Sequence, residues 1–256
     1  MEKGTVHFVG AGSGAPDLIT LRGRDLISQA DVIIYAGSLV NPKLLDYAKA
    51  GCQVRNSAKM TLEQVLDVMK TAVSCGKDVV RLHTGDPCIY GAIREQMDAL
   101  DREGIAYDYC PGVSAFCGAA SALNLEYTLP GVSQSVIITR MEGRTSVPEK
   151  ESIESFAAHG ATMVLFLSAG MTGELSKRLL SGGYHEDTPA AIVYKATWED
   201  EKAFTCTVGT LEKTAEENGI NKTALIIVGD VIGSSEYALS KLYDPEFATG
   251  FRNKSK

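Results

Sequence analysis

Three short segments of this 256-residue chain combine glycine, hydroxyl and carboxylate residues in patterns suited to holding a nucleotide-like ligand. The first is Gly10-Ala11-Gly12-Ser13-Gly14-Ala15, which formally satisfies the G-x-G-x-x-G/A dinucleotide fingerprint directly after the apolar run from Thr5 to Val9. Two features speak against a nicotinamide dinucleotide. Pro16 forces Ala15 toward an extended conformation and delays the next helix to about Thr20, and the second strand runs into Tyr35-Ala36-Gly37-Ser38, without the acid that would take a ribose. The turn then reads as one that admits another ligand or lets the domains approach closely. The second segment is His83-Thr84-Gly85-Asp86-Pro87. Gly85 allows a ligand near the backbone, Asp86 offers a carboxylate to ribose hydroxyls or an amino group, and Pro87 stiffens the turn. Asp86 also reads as the N-cap of the following helix, with Pro87 at its first position. The third is Pro111-Gly112-Val113-Ser114-Ala115, where Ser114 either caps a helix of small residues or shares its free amide groups with a ligand.

These segments need strands behind them and helices after them. Apolar and β-branched runs predict strands at Thr5–Val9, Asp31–Tyr35, Asp78–His83 and Ile105–Cys110, with helices over Leu21–Ala30, Thr61–Ser74 and Tyr90–Glu103. That alternation implies a mostly parallel sheet with helices packed on it. Asn124 to Gly131 breaks the rhythm and divides the chain into expected domains of 1–125 and 126–256. In the second, strands are expected at Val132–Thr139, Ala161–Leu167, Ala190–Lys195, Lys202–Cys206 and Ala224–Val228, with helices at Glu149–His159, Gly173–Leu180 and Leu211–Asn218. The tail from Tyr237 to Lys256 is expected to be poorly ordered.

Composition narrows the function. With 25 basic and 32 acidic residues the formal charge is -7, which disfavours a general nucleic-acid binder and requires a local basic patch for any polyanionic ligand. The six cysteines form no C-x-x-C pair, and His7, His83, His159 and His185 form no metal-spaced set, so no metal site is expected. Met1, Glu2 and Lys3 lead straight into the first strand and no apolar run is long enough for a membrane span, so a cytoplasmic protein is expected.

In order and spacing, the run from Val9 through Pro16 to Leu21, Thr84-Gly85-Asp86-Pro87 and Pro111-Gly112-Val113-Ser114-Ala115 resemble the tetrapyrrole methylases, over nearly the whole chain. Within that family, Thr139-Arg140-Met141-Glu142-Gly143-Arg144-Thr145, Phe166-Leu167-Ser168 and Val193-Tyr194-Lys195-Ala196-Thr197-Trp198 are similar to the branch acting on precorrin-4. The resemblance implies two unlike α/β domains with a cofactor trough between them, a homodimer, and C-methylation of precorrin-4 or cobalt-precorrin-4 at C-11 in cobalamin biosynthesis, with S-adenosylmethionine as donor and S-adenosylhomocysteine as product. The alternatives are another precorrin carbon, a same-fold methyltransferase acting on protein or RNA, and a non-catalytic tetrapyrrole carrier.

By matching position the resemblance assigns Pro16, Thr84, Gly85, Asp86, Ile89, Ser114 and Ala115 of the first domain to the cofactor, with Leu167, Ala196 and Ala224 from the second. Where many relatives carry two glycines before the aspartate, this chain has Thr84 and Gly85. Methyl transfer from a sulfonium needs alignment and exclusion of water more than a strong base. The ring proton is left to Asp86, the best catalytic candidate, or to solvent. Arg140, Arg144 and Lys195, with Glu142 beside them, are candidates for the substrate carboxylates, since guanidinium groups grip carboxylates in bidentate fashion. Arg140 and Arg144 also read as part of a solvated turn salt-bridged to Glu142; His83, beside the aspartate loop, reads as a structural histidine ahead of a substrate contact, and Trp198 as a packing residue ahead of a stacking partner for the macrocycle.

Overall fold

The computed structural model describes residues 4–254. Met1, Glu2 and Lys3, read as leading straight into the first strand, and Ser255 and Lys256, at the end of the tail expected to be poorly ordered, lie outside the described residues. The chain forms two compact units, the first running to Ala119 and including Lys195–Glu201, the second comprising Ala120–Tyr194 and the chain from Lys202 onward. Sequence reading put Lys195, Ala196 and Trp198 with the second half; the structure puts this segment in the first unit. Among the described residues no helix is long and apolar enough to cross a membrane.

The first unit holds β1 (Val6–Gly10), α1 (Leu21–Gln29), β2 (Val32–Tyr35), β3 (Gln53–Asn56), α2 (Leu62–Ser74), β4 (Val79–His83), α3 (Arg94–Arg102), β5 (Tyr107–Cys110) and the start of α4 (Ala115–Leu123). Its sheet has the order β3-β2-β4-β1-β5, and every pairing is parallel. A parallel sheet needs both faces covered. Val6, Phe8 and Val79 bury one face against Val65 and Met69 of α2 and Leu100 of α3. Val9, Val80 and Leu82 bury the other with Ile27 of α1 and Leu44. The period-2 alternation of each strand therefore decides which side chains meet which helices. Helix α2 begins where its sequence says, because Thr61 and Gln64 form a reciprocal capping box.

The second unit holds β6 (Val136–Arg140), α5 (Ile153–Ala157), β7 (Thr162–Phe166), α6 (Thr172–Gly182), β8 (Pro189–Tyr194), β9 (Lys202–Thr207), α7 (Leu211–Glu217) and β10 (Ala224–Val228). The sheet order is β6-β7-β10-β8-β9; only β6 and β7 run parallel. Ile153, Leu175, Leu179 and Leu211 from its helices pack with Met163, Leu165, Ile192 and Ile226 in one core. The side chains of Arg178 and Glu154 pair through two hydrogen bonds of 2.6 and 2.9 Å, tying α6 to α5.

Most expected elements are present, and the departures have local causes. Helix α3 starts at Arg94 rather than Tyr90, because Tyr90 and Ala92 take φ of 56° and 49° and a left-handed residue cannot continue a right-handed helix. The helix expected from Glu149 is split: extended Ser152 ends a short 3-10 turn and caps α5 by accepting from Ser155 N. Strand β6 starts late, after Ser133 forms an isolated bridge with Leu129. Strand β3 was not foreseen; all of its residues are exposed at the sheet edge, so it has no apolar pattern to read.

Candidate functional site

The carboxyl ends of β4, β1 and β5 stand side by side, and the loops leaving them pack backbone against backbone. Gly12 and Gly85 exchange hydrogen bonds as an antiparallel bridge, with N···O distances of 3.2 and 2.9 Å, and Ala11 N donates to His83 O at 2.7 Å. A β-carbon on Gly10 would lie 2.6 Å from the Gly112 Cα, and one on Gly112 would lie 2.3 Å from the Gly85 carbonyl oxygen. Glycine is required at both places because any side chain would overlap backbone. The close approach at Gly10 is between loops of the first unit, Gly10 against Gly112, and not the approach of two domains that the sequence reading gave.

Asp86 fastens the second and third loops together. Its Oδ1 accepts from the Tyr109 hydroxyl and from Cys88 N at 2.9 Å, and its Oδ2 accepts from Gly112 N at 2.9 Å. Partial burial pushes its carboxyl pKa up, but the hydrogen bonds from Tyr109, Cys88 and Gly112 outweigh this and hold it below the usual range. The N-cap expectation is corrected: α3 starts at Arg94, and Asp86 instead closes a turn onto Cys88. Between Asp86 and solvent as the acceptor of the ring proton, the lowered proton affinity of Asp86 and its two engaged oxygens favour solvent. Burial and Asp86 together push the Tyr109 hydroxyl pKa up, so the phenol stays a donor.

The remaining first-unit candidates surround this cluster. Pro16 opens a short 3-10 turn behind extended Ala15, and α1 waits until Leu21, capped by Thr20. Thr84 is exposed and Ile89 half-buried, while Ser114 is buried at the start of α4, its carbonyl accepting from Cys117 N and Gly118 N. Gly85, at φ 59°, faces Ala115: a β-carbon there would sit 3.3 Å from Ala115 N.

Segment Lys195–Glu201 meets the first glycine turn. Thr197 Oγ1 accepts from Ala15 N at 3.0 Å and lies 3.0 Å from Ser13 Oγ. The Trp198 indole lies on Gly14, so close that a β-carbon there would be 2.1 Å from Cδ1, which makes Trp198 a packing residue. Thr197 holds φ 67° and Lys195 φ 46°. A β-branched residue is strained in that region. Ala196 is buried between them, and Lys195 Nζ pairs with Asp200 Oδ2 at 2.6 Å while lying 5.5 Å from the Trp198 ring centre.

Leu167 and Ala224 belong to the second unit. Leu167 follows β7, 68% exposed at φ 54°, and Ala224 opens β10 half-buried. The Arg140 guanidinium donates to the carbonyls of Met141, Thr145 and Ser146 at 3.1, 3.2 and 2.8 Å. It shapes its own turn, which favours the turn reading of Arg140 over a grip on substrate. Arg144 is exposed on that turn, and exposed Glu142 lines an open second-unit cavity of about 780 Å³ with Arg178 and Glu212.

Sequence reasoning missed Tyr109, Asn41 and the hydroxyl of Thr197. Asn41 Nδ2 donates to Gly14 O at 2.9 Å. Nothing local marks any of them, because each acts on a partner distant in the chain. His83 is buried against Phe8, ring centres 6.3 Å apart, and burial followed by the Arg81 charge lowers its pKa to about 3. Among the described residues no group of three or more His, Cys, Asp or Glu side chains gathers to hold a metal.

An open parallel sheet with ligand-sized loops fused by glycines at its carboxyl edge, joined in sequence to a mixed-sheet unit, defines an α/β protein of the kind that binds at strand ends. The family model for tetrapyrrole (corrin/porphyrin) methylases matches residues 5–212. This chain belongs to that family. It is 53% identical over 251 residues to the cobalt-precorrin-4 C(11)-methyltransferase of Methanocaldococcus jannaschii, covering 98% of this chain and 97% of that one. Among solved structures, a cobalamin biosynthetic cobalt precorrin-4 methyltransferase aligns with TM-score 0.88 and 46% identity, over 90% of this chain and 96% of that one. A uroporphyrin-III C-methyl transferase from Thermus thermophilus, complexed with S-adenyl homocysteine, aligns with TM-score 0.75 and 25% identity, over 90% of this chain and 99% of that one.

Proposed function

We propose that this protein transfers a methyl group from S-adenosylmethionine to C-11 of precorrin-4 or cobalt-precorrin-4, a step in building the cobalamin ring. The near full-length match to the Methanocaldococcus jannaschii relative carries the reading, and the loop cluster supports it. Gly85 packs on the start of α4, where a β-carbon would lie 3.3 Å from Ala115 N. Asp86 is held ionised within the same loops, which suits a cationic sulfonium. These features fit S-adenosylmethionine.

When bound, the donor supplies a methyl group on a positively charged sulfur with a neutral thioether as leaving group. Pro16, Thr84, Gly85, Ile89, Ser114, Ala115 and Ala196 are its proposed first-unit contacts, with Asp86 as a positioning residue that fixes the loops. Alignment and exclusion of water then lower the barrier, and the ring proton leaves to solvent. In a chain of charge -7, Arg144 and Lys195 offset the negative arms of the ring. Cobalt, where present, travels with the substrate and needs no protein ligand. A homodimer belongs to the same reading and is tested by sedimentation.

The deciding experiment is mass spectrometry of products after incubation with isotope-labelled S-adenosylmethionine and each precorrin-4 form. One labelled methyl gained on either form is expected; no gain on both overturns the reading. Calorimetry with S-adenosylhomocysteine separates it from a tetrapyrrole carrier, which would release no heat.

A further inference from the structure

Arg81 and His83 occupy alternate positions of β4 and so share one face of the first sheet, the face covered by α2 and α3. Arg81 is only 7% exposed, yet it pairs with no carboxylate among the described residues. Its Nε donates to Gln96 Oε1 at 3.2 Å and its Nη1 to Ile34 O at 3.1 Å, both neutral, and Nη2 bonds to none of the described residues. His83 is 4% exposed, and its buried Nε2 has no hydrogen-bond partner. A buried cation without a counter-charge and a buried ring nitrogen without a partner are each costly, and here they lie together.

Both residues line a cavity of about 310 Å³. Ser57, Thr61 and Tyr90 add hydroxyl-bearing side chains to its wall, and Thr84 and Ile89 of the proposed cofactor loop form part of it. Glu95, the one acid in the lining, is exposed. Sites for whole small molecules begin near ~300 Å³, so a macrocycle does not fit, whereas one of its acidic arms does.

We propose that this cavity is a receptor for a single carboxylate arm of the tetrapyrrole, held by the Arg81 guanidinium and the His83 imidazole. The assignment of the arm to a tetrapyrrole rests on the methyltransferase reading above; the receptor itself does not. The methyl donor also carries a carboxylate, but its neighbouring ammonium would be repelled by Arg81, whereas a propionate arm has no such group. The neutral imidazole presents one N–H to the anion, and the free Nη2 of Arg81 presents the others.

The test uses the intact protein labelled with nitrogen-15 in its histidine rings and titrated with sodium propionate. A saturable shift of the His83 resonance, assigned by its absence in His83→Gln and abolished in Arg81→Gln, is expected; a flat titration of the unaltered protein overturns the receptor, whatever the protein methylates. Steady-state kinetics then identify the source of the arm. Arg81→Gln should raise KM for the tetrapyrrole about tenfold or more while the Kd for S-adenosylhomocysteine changes less than about twofold. The reverse pattern assigns the carboxylate to the donor and overturns the arm. Should Arg81→Gln fail to fold, Arg81→Lys keeps the cation, loses the fork, and is expected to raise the same KM. A propionate shift in a protein that methylates neither precorrin-4 form supports the receptor and refutes only the methyltransferase reading.

Discussion

Thr197 receives the backbone N–H of Ala15 on its side-chain oxygen at 3.0 Å, across 182 positions of sequence. The same oxygen meets Ser13 Oγ, so one hydroxyl secures the turn that leads from β1 to Pro16. Thr197 keeps a left-handed backbone to do so.

Replacing that oxygen isolates its contribution. Thr197→Val, similar in shape, should destabilise the protein by about 1–3 kcal/mol, since it leaves Ala15 N without an acceptor. Thr197→Ser should retain most of the stability. Urea unfolding of both variants reads the difference, and equal loss in the two would assign the effect to the methyl group instead.

Asp86→Ala removes the acceptor shared by Tyr109, Cys88 and Gly112. The expected outcome is a folded protein with S-adenosylhomocysteine affinity lowered about tenfold, from loosened loops. Circular dichroism checks the fold and calorimetry the affinity. An unchanged dissociation constant would confine Asp86 to local structure.

Gly112→Ala places a β-carbon 2.3 Å from the Gly85 carbonyl oxygen. Neither backbone can yield without breaking the bridge between Gly12 and Gly85, so the cost should reach about 3 kcal/mol or more. Thermal unfolding would show it as a large fall in Tm, in contrast to Gly250→Ala, where a β-carbon would meet nothing within 4 Å.

Arg144 and Arg140 lie on one turn but should behave differently. Arg144→Glu should raise KM for the tetrapyrrole with little change in cofactor affinity, because it puts a negative charge where an anionic ring is proposed to bind. Arg140→Ala should chiefly lower stability, since its three carbonyl partners lie in its own turn. Equal impairment of both substrates by Arg144→Glu would make that loop structural.

The pH dependence of His83 has a defined sign. Burial and the neighbouring Arg81 charge lower its folded pKa to about 3, below the ordinary imidazole value of about 6.5, so the unfolded chain binds the extra proton first. The stability that this residue contributes is complete above about pH 6.5 and is lost as pH falls toward about 3. His83→Gln should flatten the fall of Tm in that window, and the ring resonance of the unaltered protein should remain that of a neutral imidazole at pH 5. Protonation near pH 6 would refute the assignment.

The first unit was largely legible because β1, β2 and β4 are largely buried apolar runs, and β1, β4 and β5 run into glycine or proline within two residues, so local chemistry and global topology agree there. The roles within the loops were less so. Asp86 looked like a helix cap because Pro87 follows it, yet the left-handed residues Tyr90 and Ala92 postpone the helix to Arg94. Arg140 looked like a ligand for anions because donation to backbone carbonyls leaves no trace in residue type. Arg81 passed as an ordinary residue of the strand expected over Asp78–His83, since an absent counter-charge is visible only once the surroundings are known.

Because the first unit takes in Lys195–Glu201, a fragment ending near Leu125 would lack the hydroxyl that receives Ala15 N and the indole that lies on Gly14. During synthesis the glycine turn therefore stays unfinished until the ribosome has released residues beyond Glu201, by which time β6, β7 and β8 have already emerged. Cutting the gene at the apparent midpoint should yield an amino-terminal piece prone to proteolysis, rescued by supplying the missing stretch in trans.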